Sequence, residues 1–344
     1  MYGTLSVSVK DRLMDIPSLT GMVVLSRCCK AIQRLADLKA GAEPRGLVRS
    51  SYARGQCACA RFLQILPRVR CSAVGVIAFA LQGGGSLSAA EVGMLRALTE
   101  HGIVPDLVVG ASAGALNAVA FAANPTLAGI DQLDAMWQSL RRRHVAPLSA
   151  RTLLAAAAGH SGGLVSNAPL RRFIQARLPI SALTETTIPA HVVATDLESG
   201  EPVVLSRGDA VSALLASSAF PGLYPPVTIG GRQLIDGGVA ADVPVLQAEA
   251  LGATVTYVLP AAVDEAPQPR ASSPLFLAYR ALGQILDGMA RRDAAAARGR
   301  VLTLPTVTSR AASPVDFRDT SRLIAASYGI TVQWLAEQTS AVAS

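Results

Sequence analysis

Aromatic residues, histidine and lysine are scarce in this 344-residue sequence, and cysteine is confined to one end. Aromatics make up 4% of the chain, and there are only four histidines. All five cysteines and all three lysines lie before residue 72. The number of cysteines is odd and none lies in the last 272 residues, which argues against a disulfide framework. The spacing of the cysteines does not match a zinc site. Because no apolar run reaches about 18 residues, the sequence predicts no transmembrane helix.

Charge is distributed unevenly. Residues 1–72 contain twelve Lys/Arg and four Asp/Glu, whereas residues 73–344 contain 19 and 20. This asymmetry predicts two parts, a basic extension over 1–72 that is partly disordered or weakly helical, and one globular domain over 73–340. The N-terminus lacks the order of regions found in a signal peptide, so we expect a cytoplasmic protein. The basic extension is the candidate for peripheral contact with an anionic membrane, and nucleic acid is not an expected partner.

The globular part has the pattern of an α/β domain. Hydrophobic residues make up 51% of the chain, which is enough for a sizeable core. A β-type apolar run over 75–81 and a helical pattern over 87–102 are followed by a second run over 105–109 and a second helical pattern over 115–124. Alternation of this kind predicts a mainly parallel central sheet with crossover helices.

Two segments fit the G-x-S-x-G pattern of a serine nucleophile, GASAG around Ser112 and GHSGG around Ser161. A nucleophile elbow needs a strand that runs into a tight turn and then a helix. Ser112 has that context, and Gly110 and Gly114 remove side chains that would collide with the neighbouring strand and helix. Ser161 follows a helical alanine run and precedes a loop. The sequence therefore predicts Ser112 as the nucleophile.

A serine nucleophile requires a base within hydrogen-bond reach. In an α/β-hydrolase an acid and then a histidine follow the serine, and several strands precede it. In this sequence no histidine follows His191, and only one strand of the main domain precedes the elbow strand. Asp236 ends an apolar run and is followed by two glycines. A partly shielded carboxylate has a raised pKa and can deprotonate serine directly. The alternative interpretation is an aspartate that caps its own turn.

A glycine loop completes the predicted site. Gly83, Gly84 and Gly85 connect a strand to a helix, so their amides can point at a developing negative charge. Phosphate binding is the alternative, but the loop lacks the lysine of a P-loop. Ser88 also stands where a dinucleotide-binding motif has its last glycine.

The segments LQGGGS, GASAG, ASSAFPGLYPPV and IDGG occur in this order, and together they resemble the patatin-like phospholipase family from about Val76 to Leu259. The resemblance implies a three-layer α/β/α sandwich that hydrolyses acyl esters of phospholipids, lysophospholipids or related lipids without a metal or other cofactor. It also implies that Ser112 and Asp236 form a Ser–Asp dyad and that the glycine loop is the oxyanion hole.

The sequence departs from that family at Leu87 and Ser88, where the family often has Arg-Gly. Loss of the arginine removes a contact with anionic head groups, so the departure bears on the expected preference for phospholipids. Two other interpretations stay open at this stage. One is a histidine-dependent α/β-hydrolase esterase, and the other is a non-enzymatic lipid-binding protein with a silent site.

Overall fold

The computed structural model describes residues 75–147, 152, 154, 158, 162–264, 274–309 and 313–343. The predicted basic extension over 1–72 lies outside these residues, and so does Ser161 of the second serine motif. Residues 76–338 form one compact unit.

The centre of this unit is an eight-stranded sheet. Its strands are β1 (Ile77–Leu81), β2 (Leu107–Ala111), β3 (Ala190–Asp196), β4 (Pro202–Leu205), β5 (Val227–Ile229), β6 (Arg232–Asp236), β7 (Val255–Leu259) and β9 (Arg300–Thr303). The strand order is β5-β6-β3-β2-β1-β7-β9, and β4 pairs with β3. Strands β1, β2, β3, β7 and β9 are parallel, whereas β4, β5 and β6 pair in antiparallel fashion, so the sheet is mainly parallel, as predicted. A separate pair consists of β8 (Val263–Asp264) and β10 (Thr308–Ser309).

Helices follow most of the strands. They are α1 (Ala90–Glu100), α2 (Ser112–Ala123), α3 (Leu127–Ser139), α4 (Arg142–Val145), α5 (Ala168–Gln175), α6 (Ala210–Ser217), α7 (Gly238–Ala241), α8 (Val245–Ala250), α9 (Pro274–Ala296) and α10 (Thr320–Ala343). Short 3-10 helices span Gly85–Ala89 and Leu183–Glu185.

Side chains that alternate along the strands bury both faces of the sheet. Phe79 and Leu81 of β1 belong to the core on one face, which includes residues of α1 and α2. Ala78 and Ala80 belong to the core on the other face, together with residues of α8 and, at its margin, α9. Because successive side chains of a strand point to opposite faces, each strand contacts helices on both sides. The result is the three-layer α/β/α sandwich that the resemblance implied.

Two local differences from the sequence prediction concern the ends of strands. The turn predicted after Asp236 continues into the short helix α7, and the 3-10 helix Gly85–Ala89 precedes α1. Strand β5 was not predicted, because its three residues are too short to show a period of two.

The register of the sheet decides which chain segments meet at its carboxyl edge. Ala111 at the end of β2 pairs with Val193 of β3, and the next residue of β3, Ala194, pairs with Asp236. Strand β1 ends beside β2, so the glycine loop that follows it reaches the same edge. Three segments far apart in sequence are thereby placed together.

Gly93 lets α1 and α10 pack closely. A Cβ atom at Gly93 would lie 2.2 Å from the carbonyl oxygen of Ile324 in α10, whereas a Cβ at Gly329 of α10 would have no neighbour within 4 Å. We expect Gly93→Ala to lower the free energy of unfolding by about 1–3 kcal/mol through overpacking. Gly329→Ala is the matched control, and we expect it to be neutral or stabilising by up to about 1 kcal/mol. Urea unfolding measures both, and equal stability of the two variants would contradict this packing.

Candidate active site

Ser112 occupies a sharp turn between β2 and α2. It is the first residue of α2, and its φ of 50° makes it the only non-glycine residue with positive φ among those that the structure describes. A side chain in this left-handed region is strained, and strain of this kind concentrates at functional sites. The strand, turn and helix predicted around Ser112 are all present.

The two glycines of the motif allow this turn to be tight. A Cβ atom at Gly110 would lie 2.5 Å from the carbonyl oxygen of Gly114, and one at Gly114 would lie 2.5 Å from the carbonyl oxygen of Gln82. Real Cβ atoms do not approach backbone oxygens this closely, so both positions exclude any larger residue. The structure thus supplies the steric reason that the sequence predicted for both glycines.

The hydroxyl of Ser112 donates a hydrogen bond of 2.7 Å to Oδ2 of Asp236, although the two residues are 124 positions apart. The other carboxylate oxygen, Oδ1, accepts the backbone N–H of Gly238 at 2.8 Å. Asp236 is 5% exposed, so its carboxylate is shielded from water, whereas Ser112 is half-buried. The turn-capping bond and the bond to serine therefore coexist on one carboxylate.

Burial changes the acidity of this carboxylate. Desolvation raises the pKa of Asp236 to about 6, against the lowering effect of the hydrogen bonds from Ser112 and Gly238. A carboxylate with this pKa is mostly ionised at neutral pH and more basic than an exposed aspartate. Those are the properties of a general base that works near pH 7.

Ser217, at the end of α6, connects the backbone of Ser112 to strand β3 through two hydrogen bonds. Its hydroxyl accepts the backbone N–H of Ser112 at 2.8 Å and donates to the carbonyl oxygen of Val193 in β3. A Cβ atom at Gly237 would lie 2.0 Å from that same carbonyl, so the turn after Asp236 also packs directly on β3. The role of Ser217 was not predicted; the available signal was its place in ASSAF, one of the segments that carried the family resemblance.

The glycine loop lies beside Ser112, but its three amides are not equivalent. A Cβ at Gly83 would lie 3.4 Å from Cβ of Ser112, which locates the loop next to the side chain of Ser112. The N–H of Gly83 already donates to the carbonyl oxygen of Asp242 at 3.0 Å. The Gly83 amide is therefore engaged within the protein, and the oxyanion hole formed by the three amides stays a prediction. The amides of Gly84 and Gly85 donate no hydrogen bond to any residue that the structure describes.

Contacts from distant segments support this loop. Gly85 has a φ of 59°, and the N–H of the next residue, Ser86, donates to the carbonyl oxygen of Pro314 at 2.7 Å. Ser88, which replaces a family glycine, is fully buried and donates from its hydroxyl to the carbonyl oxygen of Gln82 at 3.2 Å. The serine therefore closes the loop with a hydrogen bond, and the departure at this position has a structural role.

A second buried carboxyl group, Asp242, was not predicted. Its Oδ2 accepts a hydrogen bond of 2.8 Å from Nε2 of Gln82. A Cβ at Gly238 would lie 3.0 Å from Oδ1 of Asp242 and 3.2 Å from Oδ1 of Asp236, so these two oxygens are within about 6 Å of each other. Desolvation raises the pKa of Asp242 to about 7; the Gln82 hydrogen bond lowers it, and the charges of Asp236 and Asp287 raise it further. Two carboxyl groups of different acidity thus lie at one edge of the sheet.

The three histidines that the structure describes have partners away from Ser112. Nδ1 of His191 lies 2.8 Å from the hydroxyl of Ser206, and Nδ1 of His101 lies 2.8 Å from the carbonyl oxygen of Ala97. The ring of His144 stacks on Phe173. The side chain that accepts the hydrogen bond of the Ser112 hydroxyl is instead the carboxylate of Asp236.

In the described part of the chain, the His, Cys, Asp and Glu side chains form no group of three that could hold a metal ion. None of the helices in this part combines the length and apolar character needed to cross a bilayer.

Solved structures that match this chain include two with TM-scores below 0.5. VipD from Legionella pneumophila is 16% identical, with a TM-score of 0.42 and coverage of 76% of this chain and 67% of VipD. Human GIVD cytosolic phospholipase A2 is 12% identical, with a TM-score of 0.45 and coverage of 78% of this chain and 58% of that chain.

Sequence relatives are found among proteins of the NTE family. One from Mycobacterium tuberculosis is 29% identical over 231 residues, which is 67% of this chain and 61% of the relative. The lysophospholipase nte1 of Aspergillus terreus is 26% identical over 206 residues, 58% of this chain and 12% of the relative. The chain therefore spans less than two thirds of the length of these relatives.

The family model described as Patatin-like phospholipase matches residues 79–249. This range contains the elbow, the glycine loop and both buried carboxyl groups described above. The match agrees with the order of motifs in the sequence and with the layered fold. The chain belongs to the patatin-like phospholipase family.

Proposed function

We propose that this protein is a lipid acyl hydrolase that cleaves carboxylic esters with Ser112 as nucleophile and Asp236 as its base. The observation that carries the proposal is the 2.7 Å hydrogen bond from the Ser112 hydroxyl to a buried carboxylate, at an elbow with strained backbone. A nucleophile within hydrogen-bond reach of its base is the arrangement that covalent catalysis requires. Membership of the family supports lipid esters as the substrate class.

In the proposed first step, Oγ of Ser112 attacks the ester carbonyl carbon while its proton moves to Oδ2 of Asp236. Negative charge develops on the carbonyl oxygen, and the amides of Gly84 and Gly85 stabilise it. The tetrahedral intermediate collapses, the ester C–O bond breaks, and the leaving alcohol takes the proton from Asp236. An acyl-enzyme remains on Ser112. A single oxyanion-hole donor contributes on the order of 10²–10³ in rate.

In the proposed second step, a water molecule gives a proton to Asp236 and attacks the acyl carbon. Collapse of the second intermediate returns that proton to Oγ of Ser112 and releases the fatty acid. One carboxylate therefore acts alternately as base and acid, for which a pKa near the working pH is favourable. Phospholipids, lysophospholipids and related lipids are the proposed substrates.

The choice between the two serine motifs is tested by substitution. We expect Ser112→Ala to reduce hydrolysis of a p-nitrophenyl ester to background. Asp236→Asn should lower kcat/KM by about 10²–10⁴-fold, the range of general-base catalysis. Ser161→Ala and His191→Gln are the controls and should retain activity. Loss of turnover in Ser161→Ala with full activity in Ser112→Ala would assign the nucleophile to the other motif, and loss in His191→Gln would favour a histidine-dependent esterase.

The pH profile tests the two carboxyl groups separately. Asp236 must be ionised to act as base, so kcat/KM should fall as the pH drops through about 6. Ionisation of Asp242 near pH 7 adds a negative charge beside the glycine loop, so kcat/KM should also fall above about pH 7. Among the described residues, the other titratable groups that interact with Asp242 are the carboxyl groups of Asp287 and Glu91, and burial raises the pKa of Glu91 well above its usual value, which favours its neutral form.

The substitution Asp242→Asn distinguishes the fall in kcat/KM below about pH 6 (the acid limb) from the fall above about pH 7 (the alkaline limb). The asparagine keeps an acceptor for Gln82 but cannot ionise, so we expect the alkaline limb to disappear while the acid limb stays near pH 6. An alkaline limb that persists in the variant, at unchanged circular dichroism, would rule out Asp242 as its origin.

A further inference from the structure

The chain contains a long stretch with arginine and no acidic residue. Residues 135–184 include seven arginines and neither Asp nor Glu, although acidic residues number 24 in the whole chain. Arg141, Arg142 and Arg143 form a run immediately after α3, and all three are exposed. The mechanism proposed above uses none of them.

The helical path places this run at the edge of the sheet that holds the nucleophile. Helix α2 starts at Ser112 and leads away from that edge, and α3 follows after a three-residue link and returns towards it. Nε1 of Trp137, near the end of α3, donates a hydrogen bond of 2.6 Å to Oδ1 of Asn117 in the first half of α2. The arginines that follow α3 therefore lie on the side where α2 begins.

At this edge the arginine run lines a pocket of about 780 Å³. The opposite wall is the segment Ser313–Arg318. That wall lies directly on the glycine loop, because Ser86 donates from its N–H to the carbonyl oxygen of Pro314 at 2.7 Å and from its hydroxyl to that of Ser313 at 3.4 Å. The pocket is thus built onto the loop proposed to hold the oxyanion.

The lining of the pocket is strongly cationic. It contains four arginines and one carboxylate, Asp316, which pairs with Arg318 at 2.6 Å. The guanidinium of Arg141 is bound to backbone carbonyl oxygens, including that of Leu140 at 2.8 Å. The guanidinium groups of Arg142 and Arg143 make no hydrogen bond or ion pair with any other residue that the structure describes, although the backbone carbonyl of Arg142 accepts the N–H of Ala146. Two guanidinium groups are therefore available for an anion.

The charge density around this run affects its neighbours. Arg177 lies over the ring of Phe173 at 3.9 Å, and the ring of His144 stacks on the same phenylalanine. Burial, together with the charges of Arg143, Arg177 and Arg141, lowers the pKa of His144. The electrostatic potential around His144 therefore disfavours a further cation and favours an anion.

We infer that this arginine-lined pocket binds the phosphate group of a phospholipid substrate, with Arg142 and Arg143 as the ligands. Guanidinium groups bind phosphate oxygens in a bidentate manner, which gives orientation as well as affinity. The inference rests on the proposed function and adds a head-group subsite to it.

The test compares two substrates that differ only in the head group. Dihexanoylphosphatidylglycerol, used as a monomer below its critical micelle concentration, carries the phosphate, and dihexanoylglycerol has the same acyl chains without it. For the double variant Arg142→Gln/Arg143→Gln we expect the ratio of kcat/KM for the two substrates to fall by about 10-fold or more, in the range of charge-assisted hydrogen bonds. The control is Arg207→Gln/Arg291→Gln, which changes the net charge equally at exposed arginines on other elements and should leave the ratio unchanged.

A binding measurement separates this inference from the proposed function. Calorimetry with Ser112→Ala, with and without the two arginine substitutions, reports binding of the same phospholipid without turnover. Tighter binding with the arginines present supports the subsite even if the protein hydrolyses neither substrate. An unchanged ratio, an equal fall in the control, or a fall seen only on vesicles and not on monomers would overturn it. Equally tight, arginine-dependent binding of inorganic phosphate would also overturn it, because it would assign the pocket to the free ion.

Discussion

The buried carboxylate of Asp236 is the constraint on which the rest of this site depends. Removal from water makes the ionised form costly, and the two donors that face it, the Ser112 hydroxyl and the Gly238 amide, offset part of that cost. The same burial raises the pKa into the range where a carboxylate exchanges protons at neutral pH. One environment therefore holds the charge in place and gives the carboxylate the basicity that its proposed role as the base of Ser112 requires.

The sheet and its close contacts hold this pair together. The antiparallel pairing of β3 with β6 places Asp236 opposite Ala194, one residue beyond the partner of Ala111. Glycines at the crossings let backbone segments approach closely, as at Gly237, where a methyl group would overlap the carbonyl of Val193. The distance between serine and aspartate thus follows from hydrogen-bond register and steric contact, and two rigid elements maintain it.

Sequence patterns predicted the elements that carry local signals. The strands around Ala78 and Val108 are continuous apolar runs, and the turn at Ser112 has its own motif, so the layered fold and the geometry of this turn could be predicted from neighbouring residues. Asp242 and Ser217 carry no such signal, because their roles arise from contacts with Gln82 and Val193 that only folding creates. For the same reason, the glycine motif could not predict that the Gly83 amide donates a hydrogen bond to the carbonyl oxygen of Asp242, 159 residues later.

The contact between Pro314 and the glycine loop also has a consequence for biosynthesis. Chains emerge from the ribosome from the N-terminus, and domains fold as their parts become available. A nascent chain that has reached residue 249 contains both members of the pair and the whole region matched by the family model. It still lacks the segment whose carbonyl oxygen accepts the N–H of Ser86 and whose backbone packs against Gly85. This support for the loop can form only late in translation, so on the ribosome the order of synthesis delays completion of the site.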